Sequence, residues 1–209
     1  MGPGPDPARR SRAYRDAMDA FGCAPGADLF WLPLGAGGHS VRWNGRIYEW
    51  AAARRDRRPA LALYHAALVV RSGDGRFVVE QAPVPRGDPA TRGVVATGPV
   101  GVRWAGGFRV FRYEVRCWRD GVIPDVAEAV DSPRALATDA GSAERILELA
   151  PRVPRLVWGR DPGGTGEMWN SNSIIAWLLT GAGIDAAAIT PPAGGRAPGW
   201  RAGVTVARR

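Results

Sequence analysis

Lysine is absent from this 209-residue chain, so all 28 of its basic side chains are arginine. A net charge of +8 would ordinarily direct attention to nucleic acid or an anionic surface, because clustered cations gain by releasing phosphate counterions. Here arginine is abundant together with alanine, glycine and proline, the set that a GC-rich genome encodes whatever the function. It is also spread along the chain, with local clusters at Arg54, Arg55, Arg57, Arg58 and at Arg208, Arg209. A small molecule or a peptide is therefore the expected partner, and nucleic acid is not.

Other scarcities narrow the classes further. Two cysteines, Cys23 and Cys117, are too few for a disulfide framework and neither has a second Cys at metal spacing, so no metal and no cofactor are expected. No run approaches the roughly 20 apolar residues of a membrane span, and the opening Met-Gly-Pro-Gly-Pro-Asp lacks the apolar stretch of a signal peptide; the expected compartment is the cytoplasm. A Gly-x-Ser-x-Gly elbow is missing, which argues against an ordinary α/β-hydrolase. The glycines of Gly35–Gly38 and Gly159–Gly166 come without the Lys and Ser/Thr that grip phosphate and magnesium. The first reads as a turn and the second as a flexible loop ahead of a helix.

What is present reads as an α+β protein, an antiparallel β-sheet with helices packed on it. Residues 1–27 form an N-terminal appendage with a short helix from Ser11 to Phe21, 28–189 a single domain, and 190–209 a Pro/Gly-rich tail whose Trp200 tucks against the body. Asp28 to Leu34 reads as a strand. Asn44-Gly45 between two alternating runs, His39–Trp43 and Arg46–Trp50, is a strong hairpin signal, because both turn residues must take positive φ. Leu61–Arg71 and Arg76–Val84, separated by Ser72–Gly75, form a second hairpin, and Phe108–Trp118 a further strand. Between them, Gly87–Gly107 is mostly loop. Helical patterns cover Pro124–Val130, Ser142–Leu149 and Asn172–Thr180.

Two places could carry chemistry. On the first strand of the second hairpin the odd positions, His65 among them, share one face; if the turn has two or four residues, Arg71 lies opposite Arg76 and Glu80 falls on the His65 face at a diagonal of roughly 7–8 Å. Far downstream, Asn170, Ser171, Asn172 and Ser173 open an apolar helix, where unpaired N–H groups and the helix dipole favour negative charge. Each has an ordinary alternative: an Asn/Ser cluster serves as an N-cap, and a strand histidine as a hydrogen-bonded core residue. Of the nine tryptophans, Trp169 and Trp43 are the candidates for a ligand cleft, by nearness to Ser171 and by place in the first hairpin. His39 is an alternative base, but its neighbour Ser40 points to the opposite face of the strand.

Tyr-His-Ala-Ala-Leu-Val-Val at 64–70, a glycine turn, Phe-Val-Val-Glu at 77–80 and Trp-Asn-Ser-Asn-Ser-Ile-Ile at 169–175 resemble the circularly permuted papain-like superfamily. That superfamily includes the PPPDE peptidases, the lecithin retinol acyltransferase-like proteins and the permuted NlpC-like hydrolases. The resemblance implies a permuted papain-like fold with His65 as base, Glu80 as its orienting residue, Asn170 and Asn172 flanking the nucleophile position, and Ser171 standing where the families carry Cys. A hydroxyl is far less acidic than a thiol and needs a well-aimed base. Two readings follow: a pseudoenzyme whose cleft binds a peptide, acyl or glycan ligand, and a hydrolase or acyltransferase acting on an amide, ester or isopeptide bond through Ser171 and His65. A third, a basic nucleic-acid adaptor, requires the arginines to converge on one face.

Overall fold

Two valine-rich apolar runs on either side of Gly73-Asp74 fold as the hairpin that the sequence predicts. In the computed structural model, which describes residues 24–34, 54, 57, 59–84, 89–123, 126–136 and 139–209, strands β2 (Ala62–Ser72) and β3 (Gly75–Pro83) pair with Ser72 opposite Gly75 and Arg71 opposite Arg76. β1 (Gly26–Pro33), β4 (Val94–Pro99), β5 (Arg112–Arg119) and β6 (Val130–Ala135) extend the sheet in the order β4-β5-β3-β2-β1-β6, every neighbour antiparallel. The short β7 (Gly195–Arg196) joins the early part of β2 in parallel.

Successive strand residues point to opposite faces, and the sheet buries both. One face carries Leu29 and Trp31 of β1, Tyr64, Ala66, Leu68 and Val70 of β2, and Tyr113 and Val115 of β5. Three helices among the described residues, α1 (Ala140–Leu149), α2 (Ser171–Gly181) and α3 (Trp200–Ala207), contribute residues to this core. The opposite, far face carries Phe30, Leu32, Ala67, Val69 and Val78, packed with Ile123. In α1, Asp139 caps the first turn by accepting from Ser142 N–H at 2.7 Å, and Ala143, Ile146 and Leu149 recur at helical spacing on the buried side.

The α+β class and the antiparallel sheet are as the sequence leads one to expect. The differences lie at weakly patterned segments. The helix expected over Pro124–Val130 is replaced by a single 3-10 turn at Val126–Glu128, after which the chain becomes β6 on the sheet edge, where Pro133 can be accommodated. The expected tail instead supplies β7 and α3. Trp200 lies 5.0 Å from Trp31 between ring centroids and donates its indole N–H to Ala186 O at 2.8 Å, so this end of the chain belongs to the main core. The Gly159–Gly166 loop is held rather than loose: the Asp161 carboxylate accepts from Thr165 N–H (2.8 Å), Thr165 Oγ1 (2.9 Å) and Gly166 N–H (2.9 Å), and Arg209 grips Pro162 O and Gly163 O. The Ser11–Phe21 helix, the Gly35–Gly38 turn, the His39–Trp50 hairpin with Trp43, and Cys23 all fall outside the described residues. No helix among the described residues is long and apolar enough to cross a membrane.

Candidate functional site

The polar start of α2 is real, and the side chains of Asn170, Asn172 and Ser173 are already occupied. Asn170 is the N-cap: its Oδ1 accepts from Asn172 N–H at 3.0 Å and Ser173 N–H at 3.3 Å, and its Nδ2 donates to Pro198 O at 2.8 Å. Ser173 completes the capping box by accepting from Asn170 N–H at 3.1 Å and donates to Gly199 O at 2.7 Å.

Asn172 serves a different purpose. The β2–β3 ladder ends at Leu68 opposite Val79, which leaves the backbone of residues 64–66 without a strand on that side. The Asn172 side chain fills the gap: Oδ1 accepts from Ala66 N–H at 2.8 Å, and Nδ2 donates to Tyr64 O at 3.0 Å and to Pro198 O at 2.9 Å. A side-chain amide here substitutes for the missing peptide group and satisfies a buried donor and a buried acceptor. Glycine permits the fit of α3 on this corner. A Cβ at Gly203 would sit 2.1 Å from Ser173 O, and one at Gly199, where φ is +87°, 2.3 Å from Asn170 Oδ1.

These contacts correct the expected cleft. Trp169 is fully buried in the main core, Asn172 is 2% exposed and Asn170 is 9% exposed, so none of the three lines an open surface. Ser171 alone of the four helix-start residues is half-buried, and its hydroxyl makes no hydrogen bond to a described residue.

His65 does not come to meet it. It lies opposite Leu32 of β1, on the face that Phe30, Leu32, Ala67 and Val69 share, whereas α2 packs on the face of Tyr64, Ala66 and Leu68. The sheet itself separates imidazole from hydroxyl, so the expected Ser171–His65 dyad is not assembled. Glu80, by contrast, does share the His65 face, since its neighbours Val79 and Val78 point to the helix face and the far face respectively.

On that far face Glu80 belongs to a chain of alternating charge that the sequence reading did not pick out. Arg116 Nη1 donates to Glu80 Oε1 at 3.1 Å, Arg116 Nη2 lies 2.6 Å from Glu114 Oε1, and Arg92 binds both oxygens of Glu114 at 3.0 and 3.1 Å. The Arg116 guanidinium also sits over the Trp118 ring, 5.4 Å from its centroid. All three β5 residues are at even positions, alternating with Tyr113, Val115 and Cys117; that period-2 pattern was the available signal. Glu80, Glu114 and Arg116 are all buried.

The two carboxylates of the chain respond oppositely to it. Burial pushes the Glu80 carboxyl above its ordinary value, and Arg116 only partly offsets this. Burial would raise Glu114 as well, but hydrogen bonds and charge from Arg92 and Arg116 outweigh it and hold Glu114 below the usual range. A second ion pair on this face joins Arg71 to the buried Asp28. Cys117 is no substitute nucleophile: burial pushes its thiol up to about 11, so the thiolate is scarce at neutral pH. Among the described residues, no group of His, Cys, Asp and Glu is placed to hold a metal ion.

No protein-family model, curated protein or solved structure matches the chain.

Proposed function

We propose that this chain is a papain-like pseudoenzyme in permuted order, which binds a ligand without turning it over. The observation that supports the absence of turnover is the start of α2; the papain-like frame rests on the sequence resemblance. Where the resembling families carry a cysteine nucleophile, the residues on both sides of Ser171 are committed to capping the helix and bridging the sheet, and the candidate base is on the other face. A serine hydroxyl is too weakly acidic to act without an aligned base. The hydrolase or acyltransferase alternative rests on the resemblance alone.

Of the ligand classes, a peptide fits best. On the far face Leu32, Ala67 and the Glu80–Arg116–Glu114 ions are buried, so the half-buried His65 is the member of this set with surface to offer, and its imidazole suits a peptide side chain. A plain acyl chain has no use for the imidazole. The nucleic-acid reading is not favoured either, because Arg71, Arg92 and Arg116 are spent on carboxylates.

Two measurements test the proposal. A fluorophosphonate probe should leave the full chain unlabelled; stoichiometric labelling of Ser171 would overturn it. A displayed random-peptide library should be enriched on the full chain, with enrichment lost in His65→Ala and kept in Ser171→Ala. The opposite pattern, or no enrichment, would refute the assignment of the far face.

A further inference from the structure

Among the described residues, four of the six large apolar side chains that remain exposed gather in one connection, residues 101–112 between β4 and β5; the other two are Val122 and Trp158. Trp104 is 78% exposed, Phe108 61%, Val110 79% and Phe111 47%. Arg103 and Arg109, also exposed, are interleaved with them. The stretch contains three arginines and no acidic residue, and apart from arginine and the Trp104 indole it has no side chain able to hydrogen-bond.

This connection has a defined shape. Val100 N–H donates to Phe111 O at 2.8 Å and closes its base; Phe108 N–H to Ala105 O (2.9 Å) and Phe111 N–H to Phe108 O (3.0 Å) form two tight turns. Arg112 reaches back to the carbonyls of Gly106 and Gly107. From outside, Trp158 is tied to Pro99 and Gly101 through backbone bonds of 2.9 and 3.0 Å, and Arg160 donates to Gly101 O at 2.7 Å. The aromatic side chains are thus held out from the surface by a braced loop, which lowers the ordering cost of using them for contact.

We infer that residues 101–112 are a membrane-docking tip, seating Trp104, Phe108 and Val110 among the headgroups of an anionic lipid surface while Arg103 and Arg109 bind its phosphates. Charge complementarity selects this occupant. Interfacial segments combine Trp, Phe and aliphatic residues with arginine, and each basic residue near an anionic leaflet adds attraction. A second copy is disfavoured, because a two-fold contact through this patch would bring Arg103 and Arg109 against their own counterparts. Single-stranded nucleic acid is disfavoured because Val110, the most exposed of the set, offers no ring for a base to stack on. The inference is independent of the pseudoenzyme reading.

The test is flotation of the full chain with vesicles of phosphatidylcholine alone and of phosphatidylcholine containing about one third phosphatidylserine, at low and at roughly physiological salt. Binding is expected to the phosphatidylserine vesicles and not to the neutral ones. The pair Trp104→Ser with Val110→Ser should lower partitioning by about tenfold or more, from the loss of buried apolar area. The pair Arg103→Gln with Arg109→Gln should lower it by about tenfold and flatten its salt dependence. Both pairs alter exposed side chains, so urea unfolding should be unchanged and a folding defect is distinguishable from lost docking. Several results would overturn the inference: no flotation with either vesicle, flotation that both variants retain, preferential binding of a dT oligonucleotide, or a dimer in sedimentation velocity that the Trp104→Ser pair dissolves.

Discussion

Apart from the indole N–H groups of Trp118 and Trp169, which are buried without a hydrogen-bond partner among the described residues, the two faces of the sheet satisfy their buried polar groups by different means. On the helix face the work falls to neutral groups, the Asn170 and Asn172 amides and the Ser173 hydroxyl, each bonded to backbone within a small corner. On the far face it falls to ions arranged as Arg92–Glu114–Arg116–Glu80 and Arg71–Asp28. Neutral amides can be buried once their bonds are made, at modest net gain per bond. Buried ions are stable only as an intact set, since removing one member leaves an uncompensated charge. The helix face should therefore degrade in proportion to the bonds removed, and the far face according to which charge is orphaned.

The largest effect is expected on the far face. Glu114→Gln leaves Arg92 without its carboxylate and Arg116 with Glu80 alone, and should cost about 4 kcal/mol at neutral pH by urea unfolding. Because Glu114 is held low in the folded protein, its contribution is present above the unfolded value near 4.3 and is lost as pH falls through the folded value; the penalty of the variant should shrink in that acid range.

On the helix face Gly203→Ala is expected to follow, at about 3 kcal/mol, since the new methyl meets the α2 backbone and one helix must shift. Asn172→Ala should cost about 2–3 kcal/mol, because Ala66 N–H and Tyr64 C=O are then buried without partners. Faster hydrogen exchange at Ala66 than in the wild type would identify the cause.

Glu80→Gln is the sharpest contrast with Glu114→Gln, although both remove a carboxylate from Arg116. Burial raises Glu80 in the folded state, so its protonated form favours folding below the unfolded value near 4.3, and that advantage is lost as pH rises through the folded value. The glutamine variant should thus compare better with wild type at pH 7 than at pH 4, and at pH 7 lie within about 1 kcal/mol of it. A cost equal to that of Glu114→Gln would mean that the ions act as one unit without a weak end.

How much of this was legible in the sequence depended on pattern strength. The β2–β3 hairpin followed from two apolar runs around a glycine turn, and its register, Arg71 opposite Arg76, from the condition of a two- or four-residue turn, which the two-residue Gly73-Asp74 turn meets. Helix α2 followed from its caps and apolar run and begins at Ser171, one residue ahead of the expected Asn172–Thr180. β6 was hidden because Asp131 and Pro133 are poor strand formers that only an edge tolerates. α3 was hidden because its glycines, needed for close packing on α2, read as tail. The site failed for another reason. Alternation says which β2 residues share a face with His65, but both faces of β2 are apolar, so it cannot say on which of them the helix will lie. Motif order along the chain carries no information about that choice.

Whether the start of α2 is structural and chemically isolated from His65 can be read from the thiol of Ser171→Cys. Its iodoacetamide labelling would be followed against pH with and without His65→Ala, after subtracting Cys23 and the sluggish Cys117. The thiol is expected to titrate near or somewhat below the free value of about 8.5, as helix-start N–H groups allow, and to be unmoved by the loss of His65. A strongly depressed value that returns toward 8.5 when His65 is removed would show that imidazole and nucleophile position communicate, and would contradict that isolation.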